Sequence, residues 1–159
     1  MPQLLDQARA LHSRFVSFAN YLQSPVLLVM RLYWGWSFCQ TGWGKLNNLG
    51  QTTEFFASIN IPMPGLNAMM AGTVECVGGL FLLLGLLSRL TCIPLAFTMV
   101  VAYLTADHEA LAAIFSDTDK FTEAAPFLFL LTSVIVLAFG PGVASLDYLL
   151  GSLARKSTK

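Results

Sequence analysis

The chain has 159 residues and zero net charge, and 55% of its residues are hydrophobic while only 11% carry a charge. Soluble domains usually contain about 25% charged residues. The composition therefore indicates an integral membrane protein, and the absence of a net positive charge argues against a nucleic-acid partner.

Residues 1–24 contain both apolar and polar residues, with the apolar ones at helical spacing. It lacks the uninterrupted apolar core and small-residue cleavage site of a signal peptide. We predict an amphipathic helix on the membrane surface, with a frayed leader as the alternative. Its apolar positions recur every three or four residues, at Leu4, Ala8, Leu11, Phe15, Phe18 and Leu22.

Four apolar segments follow, at 25–45, 66–87, 88–106 and 124–140. Each approaches the roughly 20 residues that an α-helix needs to cross the hydrocarbon core. They predict an all-α fold, a four-transmembrane-helix bundle over 25–150, followed by a basic tail at 151–159. A short interfacial helix is predicted between the first two segments, around Phe55 and Phe56.

Basic residues mark one side of this bundle. Since Lys and Arg concentrate in cytoplasmic connections, an even number of spans predicts that both termini are cytoplasmic and that the acidic connection 107–123 is outside. The basic positions on the inner side are Arg9, Arg14, Arg89, Arg155, Lys156 and Lys159.

Charged residues within the spans are the first candidate site. Arg31 and Lys45 share a face of segment one with small residues, and Glu75 lies on the glycine-bearing face of segment two. A charge at the bilayer centre costs about 2.5–3.5 kcal/mol on insertion scales. We therefore predict an Arg31–Glu75 pair, direct or through water, as the floor of a polar cavity. The alternative is that Arg31 extends to the headgroups and Glu75 is protonated.

Two further constellations could bind a small molecule. Trp36 and Gln40 lie on a second face of segment one that also carries Trp43, and an aromatic wall with an amide donor suits a quinone. The alternative is an interfacial aromatic belt for Trp43 and lipid contact for Trp36. At the outer mouth, Lys45 could meet Asp107 and His108 and admit a small anion or a polar headgroup. The alternative is that these residues contact headgroups independently.

The residues that usually hold cofactors are sparse. Cys39, Cys76 and Cys92 form no C-x-x-C motif, so packing roles are favoured over a redox dithiol. His12 and His108 fall on opposite sides of the membrane, which excludes bis-histidine haem ligation. The acidic outer loop is interpreted as solvated rather than as a metal site. No intrinsic cofactor is expected, and electron transfer would need a bound quinone; a bound lipid is the other candidate.

Three blocks occur in a characteristic order: RLYWGWSFCQTGWGK at 31–45, ECVGGLFLLLGLLSR at 75–89 and GPGVASLD at 140–147. Together they resemble the DoxX family of small bacterial membrane proteins. The resemblance implies an inner-membrane location and, in some relatives, association with a quinone-linked thiosulfate, thiol or oxidative-stress oxidoreductase. It also marks Arg89 and Asp147 as signature polar positions, which we interpret as structural; Ser145 is predicted to cap a short C-terminal helix.

Two functions follow from these observations. One is a membrane subunit of a quinone-linked oxidoreductase system; the other is a non-enzymatic lipid-binding, small-molecule-binding or scaffold protein. Whether the chain is itself an enzyme is not decided by the sequence. The lipid bilayer is the expected surroundings of the chain. The sequence leaves two kinds of protein partner undecided: a soluble or membrane-bound redox protein, and further copies of this chain in a homo-oligomer.

Overall fold

The computed structural model describes the backbone of residues 2–157 and the side chains of residues 9 and 11–156. Within that part of the chain every regular element is a helix, as predicted. The helices are α1 (Pro2–Asn47), α2 (Leu49–Ser58), α3 (Pro64–Leu84), α4 (Ser88–Thr105), α5 (His108–Ala112), α6 (Thr118–Glu123), α7 (Pro126–Phe139) and α8 (Leu146–Ser157).

Helix α1 joins two segments that the sequence suggested were separate. It runs for 46 residues with Pro25 in its interior, so its length is about 69 Å at 1.5 Å per residue. Residues 4–22 are helical, as predicted, and the helix continues without a break across the predicted boundary at residue 24. An interior proline removes one backbone N–H and its ring crowds the carbonyl one turn earlier, but here the helix continues through it. Since a hydrocarbon core is about 30 Å thick, α1 is about twice as long as a single crossing requires.

The apolar stripe of the N-terminal part of α1 is largely exposed over the residues whose side chains the structure describes. Leu11 and Phe15 are 72% and 68% exposed. Leu4 and Ala8 fall outside the residues whose side chains the structure describes. An orientation in the membrane plane stays a prediction for this segment.

Two of the described helices, α3 and α4, are long and apolar enough to cross a membrane. Helix α7 is also apolar but has only 14 residues, which corresponds to about 21 Å. These helices agree with the predicted membrane class, while the complete four-span arrangement stays a prediction. Helix α2 lies where a short interfacial helix was predicted.

Helix α1 packs along α3, and α4 packs along α7. The core between these pairs is apolar, and Phe38 of α1 meets Phe129 of α7 with ring centroids 4.5 Å apart. The buried core side chains are Leu27, Phe38, Leu82, Cys92, Leu95, Met99 and Val136.

The contact between α1 and α3 depends on glycine. A Cβ atom at Gly42 would lie 2.3 Å from the backbone nitrogen of Cys76, and one at Gly79 would lie 2.7 Å from the backbone nitrogen of Cys39. Neither space can hold a methyl group, so the two backbones are in direct contact. The prediction that the glycine faces of segments one and two pack together is confirmed. Residue numbers rise along α1 as they fall along α3, so the helices are antiparallel.

The connection between α4 and α7 folds back on itself. Tyr103 Oη donates a hydrogen bond to the Phe121 carbonyl at 2.8 Å, and Lys120 Nζ forms an ion pair with Glu109 at 2.9 Å. The hydrogen bond and the positive charge of Lys120 lower the pKa of the Glu109 carboxyl. This acidic connection is thus a pair of short helices rather than an open loop.

Candidate functional site

An ion pair between Lys45 and Glu75 lies between α1 and α3. Lys45 belongs to the last turn of α1 and Glu75 to the middle of α3. The Glu75 side chain is 2% exposed and that of Lys45 is 29% exposed. A buried carboxylate is thereby neutralised by a cation that still reaches the surface, which is the arrangement that limits the cost of an intramembrane charge.

The predicted Arg31–Glu75 pair is wrong. Arg31 donates a hydrogen bond through Nη2 to the carbonyl of Ala144 at 2.7 Å, and Glu75 is paired with Lys45. The reason is the register of α1 against α3. Arg31 lies beside Gly85, ten residues beyond Glu75, so about 15 Å of helix separates the two charges.

The Arg31 guanidinium fills a space that only a glycine leaves open. Gly85 follows α3 with φ of 69°, and a Cβ there would lie 2.2 Å from Arg31 Nη1. Arg31 is 1% exposed. Its Nε and Nη1 find no hydrogen-bond partner among the described residues, and neither does Ser88 Oγ. Arg31 therefore retains two buried donors beyond its bond to Ala144.

Asp147 organises the same end of the bundle. Its carboxylate accepts hydrogen bonds from the backbone N–H groups of Leu87 at 2.7 Å and Ser88 at 2.9 Å, at the start of α4. Its own N–H donates to the Gly85 carbonyl at 2.9 Å, and its charge attracts the Arg31 guanidinium. A carboxylate at a helix N-terminus satisfies unpaired donors and opposes the helix dipole.

The remaining contacts at this end hold the same connection in place. Arg89 donates to the Ala138 carbonyl at 3.3 Å. Ser145 Oγ accepts from the Tyr148 N–H at 3.2 Å, so the predicted cap of the C-terminal helix is confirmed. These contacts attach residues 138–148 across the ends of α1, α3 and α4.

The polar residues thus form two separate clusters. Arg31 and Lys45 are fourteen residues apart on α1, or about 21 Å along its axis. In the cluster at Arg31 the guanidinium is buried from solvent, and the hydrogen bonds are made largely with backbone groups. The cluster at Lys45 is a side-chain pair with partial exposure, and the second oxygen of Glu75 accepts no hydrogen bond from a described residue.

The outer-mouth constellation is not assembled as predicted. Lys45 is directed to Glu75 rather than to Asp107. Asp107 precedes α5 without capping it through its side chain, and the neighbouring His108 ring contacts the Thr105 carbonyl at 3.3 Å.

The aromatic face of α1, which we define as Trp36, Gln40 and Trp43, points away from the bundle. Trp36 is 57% exposed and Trp43 is 61% exposed, and Gln40 is also exposed. Gln40 lies nine residues after Arg31, about two and a half turns, which places it on the side of α1 opposite the α3 contact. Trp36 and Gln40 therefore do not share a pocket with Lys45 and Glu75.

Two cysteines meet at the α1–α3 contact, which the sequence did not predict. The Cys39 thiol donates to the Cys76 carbonyl with Sγ 3.4 Å from the oxygen. Both side chains are partly exposed, while Cys92 is fully buried in the core. The signal was present in the spacing, since Cys39 precedes Gly42 by three residues and Cys76 precedes Gly79 by three. Predicting the contact would have required aligning Gly42 and Gly79 across two antiparallel helices.

The comparisons with known proteins agree with the fold and the motifs. Residues 26–108 match the family model of DoxX, which is more than half of the chain. A protein of Bacillus subtilis (strain 168) named "Putative oxidoreductase CatD" is 29% identical over 120 residues, covering 76% of this chain and 83% of that protein. No solved structure gives a significant match. The match spans α1, α3 and α4, including Arg31, Lys45 and Glu75, and on this evidence the chain belongs to the DoxX family of membrane proteins.

Proposed function

We propose that this protein is a membrane subunit of a quinone-linked oxidoreductase system that acts on thiols or thiosulfate or in oxidative stress, and that the quinone binds on the aromatic face of α1. The observation that carries the proposal is the exposure of Trp36 and Trp43 on either side of the amide Gln40. The relative named as an oxidoreductase supports the same class of function.

The chemistry of a quinone fits this surface. Its flat ring requires apolar walls, which two indoles about two turns apart on one helix provide. Its carbonyl oxygen requires a donor, which the Gln40 amide provides. The face opens toward the space that lipid occupies around a membrane helix, so a quinone dissolved in the bilayer reaches it without crossing the bundle.

The Lys45–Glu75 pair has a different role in this proposal. Reduction of a quinone consumes two protons, and Glu75 is a carboxylate within the bundle whose partner Lys45 is partly exposed. We assign to the pair the exchange of protons between the bundle interior and the outer surface. The Arg31 cluster, which is closed, serves to hold the inner end of the bundle.

The membrane arrangement is part of the same proposal. Helices α1, α3, α4 and α7 would span the inner membrane, with both termini cytoplasmic and α5 and α6 outside. The basic residues of the connection after α3 and of α8 support this orientation. Labelling of Ser116→Cys and Lys156→Cys from outside intact cells tests it: only Ser116→Cys should react, and labelling of Lys156→Cys alone would reverse the orientation.

Fluorescence quenching by a short-chain quinone tests the binding surface. The three tryptophans are Trp34, Trp36 and Trp43, and Trp34 is the internal control because it packs edge-on against Phe129 with centroids 5.0 Å apart. A variant that retains only Trp36, with phenylalanine in place of the other two tryptophans, should show saturable quenching in lipid nanodiscs. A variant that retains only Trp34, with Trp36→Phe and Trp43→Phe so that aromatic walls remain, should show weak, unsaturable quenching. Equal quenching of both would reject the aromatic face as the site.

An apolar groove favours the second candidate function, the binding of a lipid without chemistry. It has a volume of about 340 Å³ between α1 and α7 and is lined by residues that include Leu22, Val26, Met30 and Phe139. Its shape and apolar lining suit an acyl chain. If purified protein carries a defined lipid and no quinone, this second function replaces the first.

A further inference from the structure

We propose that Cys39 and Cys76 form a redox pair that exchanges two electrons with a quinone lying on the aromatic face of α1. The pair lies outside the polar clusters at Arg31 and Lys45. The inference uses the proposed quinone site, on which it rests, and adds the chemical group that would react there.

The first step concerns the proximity of the two cysteine residues. Cys39 Sγ is 3.4 Å from the carbonyl oxygen of Cys76, so the side chain of Cys39 already points at the residue that would be its partner. The glycine contacts bring the backbones together at the same level, since Gly42 abuts Cys76 and Gly79 abuts Cys39. A disulfide needs Cα atoms within about 7 Å of each other, and backbones in direct contact at this level favour that approach.

The second step concerns the position of the pair relative to the quinone surface. Trp36 and Trp43 are three residues before and four residues after Cys39, so all three are neighbours on the surface of α1. Cys39 is partly exposed at the edge where this surface meets α3. A ring held between the indoles would therefore lie beside the Cys39 thiol, with Gln40 next in sequence to hold a carbonyl oxygen.

The third step is the reaction, in which the quinone accepts all the electrons and protons that the two thiols release. The two S–H bonds break and one S–S bond forms between Cys39 and Cys76. The two electrons and two protons pass to the quinone, whose two carbonyl oxygens become the hydroxyl groups of the quinol. The reverse reaction regenerates the thiols from the quinol, so the pair would follow the oxidation state of the quinone pool.

Cys92 provides a matched control within the same chain. It is 0% exposed in the core of α4, and burial away from the α1–α3 contact leaves it without a thiol partner among the described residues. Cys92→Ser should therefore retain the reaction. Cys39→Ser and Cys76→Ser each remove one half of the pair while keeping a side chain of similar size.

The experiment uses the full-length protein in lipid nanodiscs, reduced without oxygen and freed of reductant. A fully substituted short-chain benzoquinone is added, because it has no open ring position to which a thiol could add. Alkylation after denaturation then counts the thiols, and the loss of quinone absorbance counts the electrons. Of the three cysteines, we expect one free thiol after the reaction, a mass lower by two hydrogen atoms, and one quinol per protein.

Two results would overturn the inference. One is that all thiols survive the quinone although diamide, a general thiol oxidant, closes the disulfide. The other is that Cys39→Ser consumes quinone as the wild type does. If Cys39→Ser still shows saturable Trp36 quenching, the proposed quinone site stands and only the redox pair fails. If the wild type shows no such quenching, the proposed site itself fails.

Discussion

Lys45 and Glu75 are joined across α1 and α3 by an ion pair in which the acid is buried and the base reaches the surface. Removing one partner of a buried pair leaves an uncompensated charge, whereas removing both often costs little. We expect Lys45→Met to lower the free energy of unfolding by up to about 3 kcal/mol, moderated by the partial exposure of Lys45. Lys45→Met combined with Glu75→Met should recover much of that loss.

A second double-mutant cycle, at Arg31 and Glu75, distinguishes the Lys45–Glu75 pair from the pair that the sequence suggested. Substitutions at Arg31 and Glu75 should be additive within about 0.5 kcal/mol, because the two groups share no partner. Denaturation in mixed micelles measures both cycles. Coupling at Arg31–Glu75 with additivity at Lys45–Glu75 would reverse the assignment.

The glycine contact makes a second prediction, about Gly42. An added methyl group would meet the Cys76 backbone at 2.3 Å, and backbone atoms cannot move aside as a flexible side chain does. We expect Gly42→Ala to destabilise the protein by about 1–3 kcal/mol, as overpacking does. It should also lower the yield of the Cys39–Cys76 disulfide, since the helices must separate.

Gly44 is the matched control for that substitution. It has no atom within 4 Å of the position of an added Cβ, so Gly44→Ala should raise stability by about 0.5–1 kcal/mol through its effect on helix entropy. Similar effects at the two positions would mean that α1 and α3 are not in backbone contact.

Sequence periodicity predicted more about the helices than about their register. The glycine and charged faces of segments one and two followed from spacing, as did the cap at Ser145. The partner of Glu75 did not, because Arg31 and Lys45 lie on the same face of α1. Choosing between them requires knowing that Arg31 is level with Gly85 at the end of α3, which is a tertiary fact.

The N-terminal segment shows a second limit. An interfacial helix and a span were separated at residue 24 because the pattern changes there from amphipathic to continuously apolar, and the structure instead has one helix through Pro25. Likewise, the contact of Asp147 with the start of α4 joins residues about 60 positions apart. Local pattern assigned Asp147 to the first turn of α8 and contained no information about that distant partner.

Asp147 carries a third prediction. Its carboxylate satisfies two N–H groups at the start of α4 and lies near the Arg31 charge. Asp147→Ala should therefore lower the free energy of unfolding by about 2 kcal/mol, the upper range for the loss of a helix cap. Asp147→Asn should have a smaller effect because it retains one acceptor. Asp147→Ala should also accelerate hydrogen exchange at the amides of Leu87 and Ser88. The control Asp119→Ala, at an exposed position, should change neither the free energy of unfolding nor this exchange.

The outer connection gives a prediction about pH. The hydrogen bond from Lys120 and its charge lower the pKa of Glu109, so the pair stabilises the folded connection above the ordinary carboxyl pKa and is lost as pH falls through the lowered value. Lys120→Met should return the Glu109 pKa toward its ordinary value, as followed by NMR. The melting temperature at neutral pH should hardly change, because exposed ion pairs contribute little. An unchanged Glu109 pKa would mean that the pair does not form in solution.

The quinone content of the protein purified directly from its native membrane in polymer-bounded discs tests the central claim most directly. The account predicts that quinone per protein exceeds the amount expected from the co-purified lipid. It also predicts that Trp36→Leu combined with Gln40→Leu abolishes the excess, while Trp34→Phe preserves it. A quinone-to-lipid ratio in the wild-type discs equal to that of the whole membrane would contradict the account.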